Sequence, residues 1–394
     1  MTSEYSIPVR EIPIATLGQA KIPSPLPYGN MINTGKVMLS LSHEYDEDID
    51  THQTLLFEEA GPRQDLYFDP GKTKCAIVTC GGLCPGLNDV IRAIVLEAYH
   101  AYNTPSVLGI RYGLEGFIPS YSHNVMELTP ASVEHIYQFG GTLLGSSRGP
   151  QEPSEIVDAL ERLNVSVLFV IGGDGSLSGA NIFAQEHDIP IVGLPGTIDN
   201  DLGGTDATIG YDTALNTIME AVDKLRDTAS SHERLFFVEV MGHTAGYLAL
   251  NGAIATGSEA AIIPEMDTEV DQLAELISQG FRKSKNSAIV IVAENPRTGG
   301  AMGLAERVKK EFPQYDARVT ILGHIQRGGS PSAQDRILAS RMGAMAIQAI
   351  MEGQRNVMIG IQNNELVYVP FSRAVRHNKS INRDYVNLVK ILSM

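Results

Sequence analysis

The sequence predicts an α/β chain with two domains of mainly parallel sheet, preceded by an N-terminal extension. Three observations carry this. Short apolar, β-branched runs bounded by glycine recur from residue 74 onward, as expected of strands buried on both faces. Amphipathic stretches alternate with them, the pattern of βαβ units and parallel pairing. There are too many such units for one small sheet, and 394 residues leave room for two or three domains.

Residues 1–71 stand apart. Scattered prolines, an acidic patch at Glu44-Tyr45-Asp46-Glu47-Asp48 and weak periodicity suit an extension that packs on a neighbour or stays partly mobile. The alternation then begins with the strand run CAIVTC and the helical run DVIRAIVLEAYHAY. SVLFVIGG precedes the helical SLSGANIFAQEH, and IPIVGLPG precedes ALNTIMEAVDKLRDTA. RLFFVEVMG, NSAIVIVAE and RVTILGH are further strand runs, and ILASRMGAMAIQAIME is a further helix. No short-period repeat or low-complexity tract interrupts the series.

Composition excludes several classes. Acidic residues outnumber basic ones 46 to 30, a net charge of −16. This argues against a general nucleic-acid binder, although a local basic pocket could still hold phosphates. No apolar run approaches a membrane span, and the opening MTSEYSIPVREIPIATL lacks a basic start followed by an apolar block. Neither a membrane nor a nucleic-acid partner is expected. The three cysteines, Cys75, Cys80 and Cys84, crowd into one stretch and cannot form a disulfide framework. With no second Cys/His cluster for zinc, they read as reduced thiols of a cytoplasmic protein. No histidine shares their motif, so a catalytic thiol is not expected.

Ligands in open α/β sheets bind at the carboxyl ends of strands, and the unusual residues fall there. Thr79-Cys80-Gly81-Gly82-Leu83-Cys84-Pro85-Gly86-Leu87-Asn88 lies between a strand and a helix. Its glycines allow close backbone approach, and the helix start offers N–H groups to an anion. A tight structural turn would use the same residues. Ile171-Gly172-Gly173-Asp174-Gly175-Ser176 is neither a Walker loop nor a dinucleotide fingerprint. Its backbone amides can hold phosphate oxygens while Asp174 reaches a magnesium ion. The alternative makes Asp174 a helix cap.

Pro195-Gly196-Thr197-Ile198-Asp199-Asn200-Asp201 places two carboxylates and an amide at one strand end. Phosphoryl transfer to an alcohol needs a base near the hydroxyl and a way to hold the metal, and Asp199 and Asp201 could share that work. A solvated turn would also use Asp and Asn. Gly323-His324-Ile325-Gln326-Arg327-Gly328-Gly329, preceded by Arg318, reads as a positive pocket near one strand end, suited to a phosphate monoester. Surface arginines pairing with local acids are the alternative. Glu294 and Arg234 are further polar residues at strand edges.

At these residues the sequence resembles the 6-phosphofructokinase family. GGDGS, PGTIDND, VEVMGH, the VAE glutamate and GHIQRGGSPSAQDRILASRMG occur in the family's order, over roughly residues 72–350. EEAGPR, YFDP and GGLCPGLN resemble a branch with a longer N-terminal segment, which includes ATP-using and diphosphate-using enzymes. The resemblance implies two Rossmann-like three-layer domains: a nucleotide-binding domain over 72–210 plus about 326–372, and a sugar-phosphate-binding domain over 211–325 plus about 373–394.

It further implies transfer of a phosphoryl group from Mg-ATP to the 1-hydroxyl of fructose 6-phosphate. Asp199 would be the base, and Asp174 would hold Mg2+. Gly82, Arg148, Gly173, Asp174, Gly175, Ser176 and Gly179 would contact ATP. Thr197, Asp201, Met241, Gly242, His243 and Glu294 would surround the sugar, with Thr197, Asp201 and His243 assisting catalysis. His324 and Arg327 would grip the 6-phosphate. Arg234 and Arg318 would complete that grip from a neighbouring subunit, which implies a homo-oligomer, a tetramer favoured over a dimer.

Diphosphate-using relatives place Asp where Gly175 stands and Lys where Gly196 stands, so glycine at both positions implies ATP as donor and diphosphate as the alternative. Two departures matter. The family's Met-Gly-Arg reads Met241-Gly242-His243 here. Either His243 steadies the transferring charge less well than arginine, or it is a packed residue and another cation takes the role. Arg92 matches one arginine of a bacterial effector site, but Leu96 replaces the other, so activation by nucleoside diphosphates is not expected to follow the usual pattern. Glu259, Lys283 and Lys285 lie near other positions of that site. A lipid or NAD kinase would share GGDG but lacks the other motifs, and a non-catalytic phosphate binder would be expected to lose Asp174 or Asp199.

Overall fold

The structure, a computed structural model, describes residues 9–26, 38–46, 51–230, 234–266, 288–294, 299–375, 379 and 381–393. Glu47 and Asp48 of the acidic patch, and Lys283 and Lys285, lie outside the described residues. The chain divides into two compact units. The first comprises Met1–Gly196, Leu202–Ala207 and Arg336–Asn378, the second Thr197–Asp201, Thr208–Asp335 and Lys379–Met394. Of the boundaries expected from sequence, those near 210 and 326 fall inside the second unit and that near 372 inside the first.

The first unit is built on a seven-stranded sheet. Its spatial order is Glu365–Pro370, Val357–Gln362, Ile191–Pro195, Val167–Gly172, Lys74–Thr79, Ser106–Ile110 and Met126–Leu128. The five inner strands run parallel, and both edge strands are antiparallel. Val167–Gly172 and Ile191–Pro195 are buried along their whole length, as their unbroken apolar sequence requires. The chain moves outward in opposite directions from Lys74–Thr79 and Val167–Gly172, so these neighbours mark the topological switch point where ligand crevices form. Helices Leu87–His100 and Asp174–Glu186 begin in the loops that follow them.

The extension is not a separate segment. Its described part carries the antiparallel strands Met38–Asp46 and Thr51–Glu58, with Val9–Glu11 parallel to the latter. Ile12, Leu55 and Phe57 join Val78, Val170 and Phe371 in the core of the first unit. Backbone bonds from Leu17 to Gly353, Ala60 to Leu366 and Tyr67 to Met351 stitch it down. A buried polar cluster completes the seam. Arg63 reaches Glu58 at 3.4 Å and Glu352 at 3.6 Å, Tyr368 donates to Glu352 at 3.0 Å, and Gln354 donates to Glu58 at 3.3 Å.

The second unit is built on four parallel strands in the order Ala260–Ile262, Ala288–Ala293, Leu235–Val240 and Ala317–Ile321. Leu235, Phe237, Val290 and Val292 pack against Leu304 and Val308 of helix Gly300–Glu311. Glu239 caps that helix by accepting the Ala301 N–H at 2.7 Å. Gly300, at φ 60°, leaves the room this needs, because a Cβ there would collide with the Glu239 carboxylate. Fully buried Asp335 accepts the N–H groups of Gly210 at 2.9 Å and Thr213 at 2.8 Å, fixing the start of helix Tyr211–Ser230. Among the described residues no helix is long and apolar enough to cross a membrane.

Burial raises the Glu352 carboxyl to about 8, against the pull of Arg63 and the Tyr368 hydroxyl, while nearby Glu58 adds to the rise. The folded state therefore holds a proton that the unfolded state releases near 4.5, and stability falls as pH rises from about 4.5 to about 8. Glu352→Gln is expected to flatten this slope. Urea unfolding should find variant and parent alike at pH 5, with the variant more stable at pH 8 by on the order of 1–3 kcal/mol.

Candidate active site

In the first unit, three glycine-bearing loops meet at the carboxyl edge of the sheet. The Cys80 N–H donates to Ile171 and the Gly81 N–H to Ser147, both at 3.0 Å. The Ser146 hydroxyl returns a bond to the Gly81 carbonyl at 2.8 Å. Thr79 Oγ1 donates to Gly145 at 2.6 Å, and Asn88 holds both the Phe139 carbonyl and the Leu143 N–H. The loop carrying Gly82 and the loop carrying exposed Arg148 are thus tied together.

Gly173 caps helix Asp174–Glu186 through its carbonyl, which accepts the Ser176 and Leu177 N–H groups. The first amides of such a helix point outward and suit an anion. Gly175 and Gly179 lie on one face of this helix, and a Cβ at either would meet nothing within 4 Å. Gly196 differs: a Cβ there would lie 2.9 Å from Leu87 and 3.0 Å from Ile171, both buried. Asp174 is exposed in the first turn. Among the described residues no group of three or more His, Cys, Asp or Glu could hold a metal unaided. One carboxylate beside phosphate oxygens is a common arrangement for Mg2+ and fits Asp174.

In the second unit, the carboxyl ends of three adjacent strands deliver Met241-Gly242-His243, Glu294 and the turn Gly323–Arg327. The His243 N–H donates to Glu294 Oε1 at 3.0 Å, and the Glu294 N–H donates to Val240 at 2.8 Å. His243 sits at φ 56°, an uncommon conformation for a residue with a side chain, which aims it outward and exposed.

Asp199 is 9% exposed. Its Oδ2 accepts from Thr197 Oγ1 at 3.3 Å, and its own N–H donates to that hydroxyl at 3.2 Å. Thr197 is held in turn by Thr208, which donates to its carbonyl at 2.6 Å. Oδ1 of Asp199 is buried without a hydrogen-bond partner. Burial pushes the carboxyl above its ordinary range, while Arg327, the Thr197 hydroxyl and His243 pull it back. Arg327 and His243 thus act on Asp199 through their charge.

Arg318 does not join this cluster. It lies at the start of strand Ala317–Ile321, whereas His324 and Arg327 follow its end, so the single positive pocket expected from sequence is corrected. Arg234, just before strand Leu235–Val240, lies at the same end as Arg318. Both arginines bind Asp316, at 3.1 Å for Arg234 and 3.0 Å for Arg318, and hold its carboxyl below the usual range. Within one chain these arginines form a separate group.

Of the effector-site candidates, Arg92 lies over the Tyr137 ring at 5.4 Å, and buried Glu259 accepts the Ile289 N–H at 2.6 Å. Cys75, Cys80 and Cys84 are buried free thiols, and burial raises Cys75 and Cys80 to about 12, so they are inert. Gln326 and Asn88, which bridge loops here, received no role from sequence. Nothing in residue type marks a bridging amide beforehand.

The profile described as Phosphofructokinase matches residues 74–350. The chain belongs to the phosphofructokinase family. It is 61% identical over 330 residues to the ATP-dependent 6-phosphofructokinase 2 of Bacteroides thetaiotaomicron, covering 82% of this chain and 100% of that one. It is 45% identical to ATP-dependent 6-phosphofructokinase 1 of Thermus thermophilus, covering 82% and 99%. Among solved structures, phosphofructokinase from Saccharomyces cerevisiae superposes with a TM-score of 0.72 at 33% identity. That match covers 82% of this chain and 48% of the yeast chain, so the present chain spans about half of it. The pyrophosphate-dependent enzyme of Marinobacter aquaeolei shares the fold, with a TM-score of 0.71 at 20% identity.

Gly175 and Gly196 should respond oppositely to a methyl group. Gly175→Ala is expected to raise stability by about 0.4–1 kcal/mol. Gly196→Ala is expected to lower it by about 1–3 kcal/mol through crowding of Leu87 and Ile171. Urea unfolding of both variants checks this.

Proposed function

We propose that this chain is an ATP-dependent 6-phosphofructokinase: it transfers the terminal phosphoryl group of Mg-ATP to the 1-hydroxyl of fructose 6-phosphate. The observation that carries the reading is the buried Oδ1 of Asp199, which has no hydrogen-bond partner, in a carboxyl that feels the charges of Arg327 and His243. A carboxylate in that state accepts a proton readily, and its raised pKa moves it toward the working pH. Asp199 takes the proton of the 1-hydroxyl as the oxygen attacks phosphorus. Thr197 fixes its free rotation, and Asp201 sits on the same turn.

His324 and Arg327 grip the 6-phosphate, Arg327 also steadying Asp199 as an anion before transfer. Met241, Gly242 and Glu294 line the sugar, and Glu294 sets the backbone of His243. The loops of Gly82 and Arg148, with Gly173, Gly175, Ser176 and Gly179, bind the donor. Asp174 holds Mg2+, which when bound offsets charge on the donor phosphates. Open space beyond Gly175 supports a nucleotide over diphosphate, whereas a Cβ at Gly196 would face buried Leu87 and Ile171, so that glycine lends the choice no support. Arg234 and Arg318, apart from His324 in one chain, reach the 6-phosphate of a neighbouring subunit. The working particle is then a homo-oligomer, a tetramer before a dimer, and its place is the cytoplasm.

A coupled assay tests the reaction: turnover with Mg-ATP is expected, and turnover with diphosphate alone would contradict it. Asp199→Asn should lower kcat by roughly 10²–10⁴-fold while fructose 6-phosphate still binds. The acid limb of the kcat profile should lie above the ordinary carboxylate range, because burial raises Asp199. Arg327→Met removes a charge that lowers Asp199, so that limb should move to higher pH still. His243→Arg should raise kcat if His243 faces the transferring charge; an unchanged kcat assigns it to packing.

A further inference from the structure

The loop Met241-Gly242-His243 leaves the middle of three parallel strands, flanked by Ala288–Ala293 on one side and Ala317–Ile321 on the other. From the first side Glu294 pins it through the His243 N–H at 3.0 Å. From the other side the pin is Gln326. This side chain is 0% exposed inside the turn Gly323–Arg327. Its Oε1 accepts the Met241 N–H at 3.3 Å, and its Nε2 donates to the Gly323 carbonyl at 2.9 Å.

We propose that Gln326 is a positioning residue for the sugar phosphate: its amide fixes the loop under the sugar relative to the turn that carries His324 and Arg327. This rests on the function proposed above and adds a residue to its sugar-phosphate site. The strand ladder ends just before the two loops, with the Leu322 N–H on the Glu239 carbonyl at 3.0 Å. Both loops then leave strand geometry, at φ 141° for Gly242, 56° for His243 and 52° for Gly323. The amide carries the connection past that point.

An apolar side chain of the same size would fill the space. It would leave the buried Met241 N–H and the partly buried Gly323 carbonyl without this bond, and the loops would relax. Small displacements of binding groups are costly in rate and affinity. Among the described residues the bonds of this amide go to Met241 and Gly323, both in the loops assigned to the sugar phosphate, so the effect is selective for the sugar.

Gln326→Leu and Gln326→Met separate positioning from packing. Both are expected to raise the KM for fructose 6-phosphate roughly tenfold while the KM for Mg-ATP stays within about twofold. Calorimetric binding of fructose 6-phosphate without nucleotide should weaken by the same factor. Variants that keep the parent's sugar-phosphate KM, that raise both KM values together, or that fail to fold would overturn the proposal. A parent enzyme that neither binds nor phosphorylates fructose 6-phosphate would refute the proposed function itself, whereas a competent parent with indifferent variants refutes only the role of Gln326.

Discussion

A carboxylate removed from water is costly unless hydrogen bonds or opposite charge compensate it, and at Asp199 compensation is incomplete. One oxygen has the Thr197 hydroxyl and the other has no hydrogen-bond partner. The chain maintains this state by over-determining the turn around it. Thr208 holds Thr197, Thr197 holds the Asp199 N–H, and Asn200 takes the left-handed conformation that asparagine tolerates. Arg327 supplies charge without closing a bond to the free oxygen. The turn keeps an acceptor without a hydrogen-bond partner at the expense of local stability, which is the state the proposed base requires.

Strands covered on both faces can offer chemistry only at their ends. That constraint explains why Gly82 follows strand Lys74–Thr79 and why Gly173 and the helix start carrying Asp174, Gly175 and Ser176 follow strand Val167–Gly172. It also explains why Met241, Glu294 and Arg327 of the second unit follow adjacent strands. The loops are not left to their own conformations. Asn88, Ser146, Glu294 and Gln326 each spend a side chain on backbone groups of a neighbouring loop, which fixes these loops relative to one another.

Much of this was legible in the sequence. The runs SVLFVIGG and IPIVGLPG announce buried strands because no other element takes so many β-branched residues between glycines. GGDGS, TIDND and GHIQR stand out because polar residues directly follow such runs. The extension's place in the first unit is hard to read from sequence, because Val9–Glu11 pairs with the distant strand Thr51–Glu58 and the core contacts come from scattered residues such as Ile12, Leu55 and Phe57. Its apolar residues in the core and its backbone bonds to Leu366, Gly353 and Met351 make it part of the first unit. Arg318 and Arg327 are nine positions apart in sequence, and a strand run through the interval puts them at opposite ends. Arg63, Glu58 and Glu352 give no local sign of meeting, since a buried ion cluster depends on partners almost 300 residues away.

The most direct measurement is a structure of the protein with fructose 6-phosphate bound. The account predicts the sugar's 1-oxygen at about 2.6–3.2 Å from Asp199 Oδ1, with the 6-phosphate on His324 and Arg327. A sugar bound with its 1-oxygen turned away from Asp199, or with its phosphate held by other residues, would contradict it.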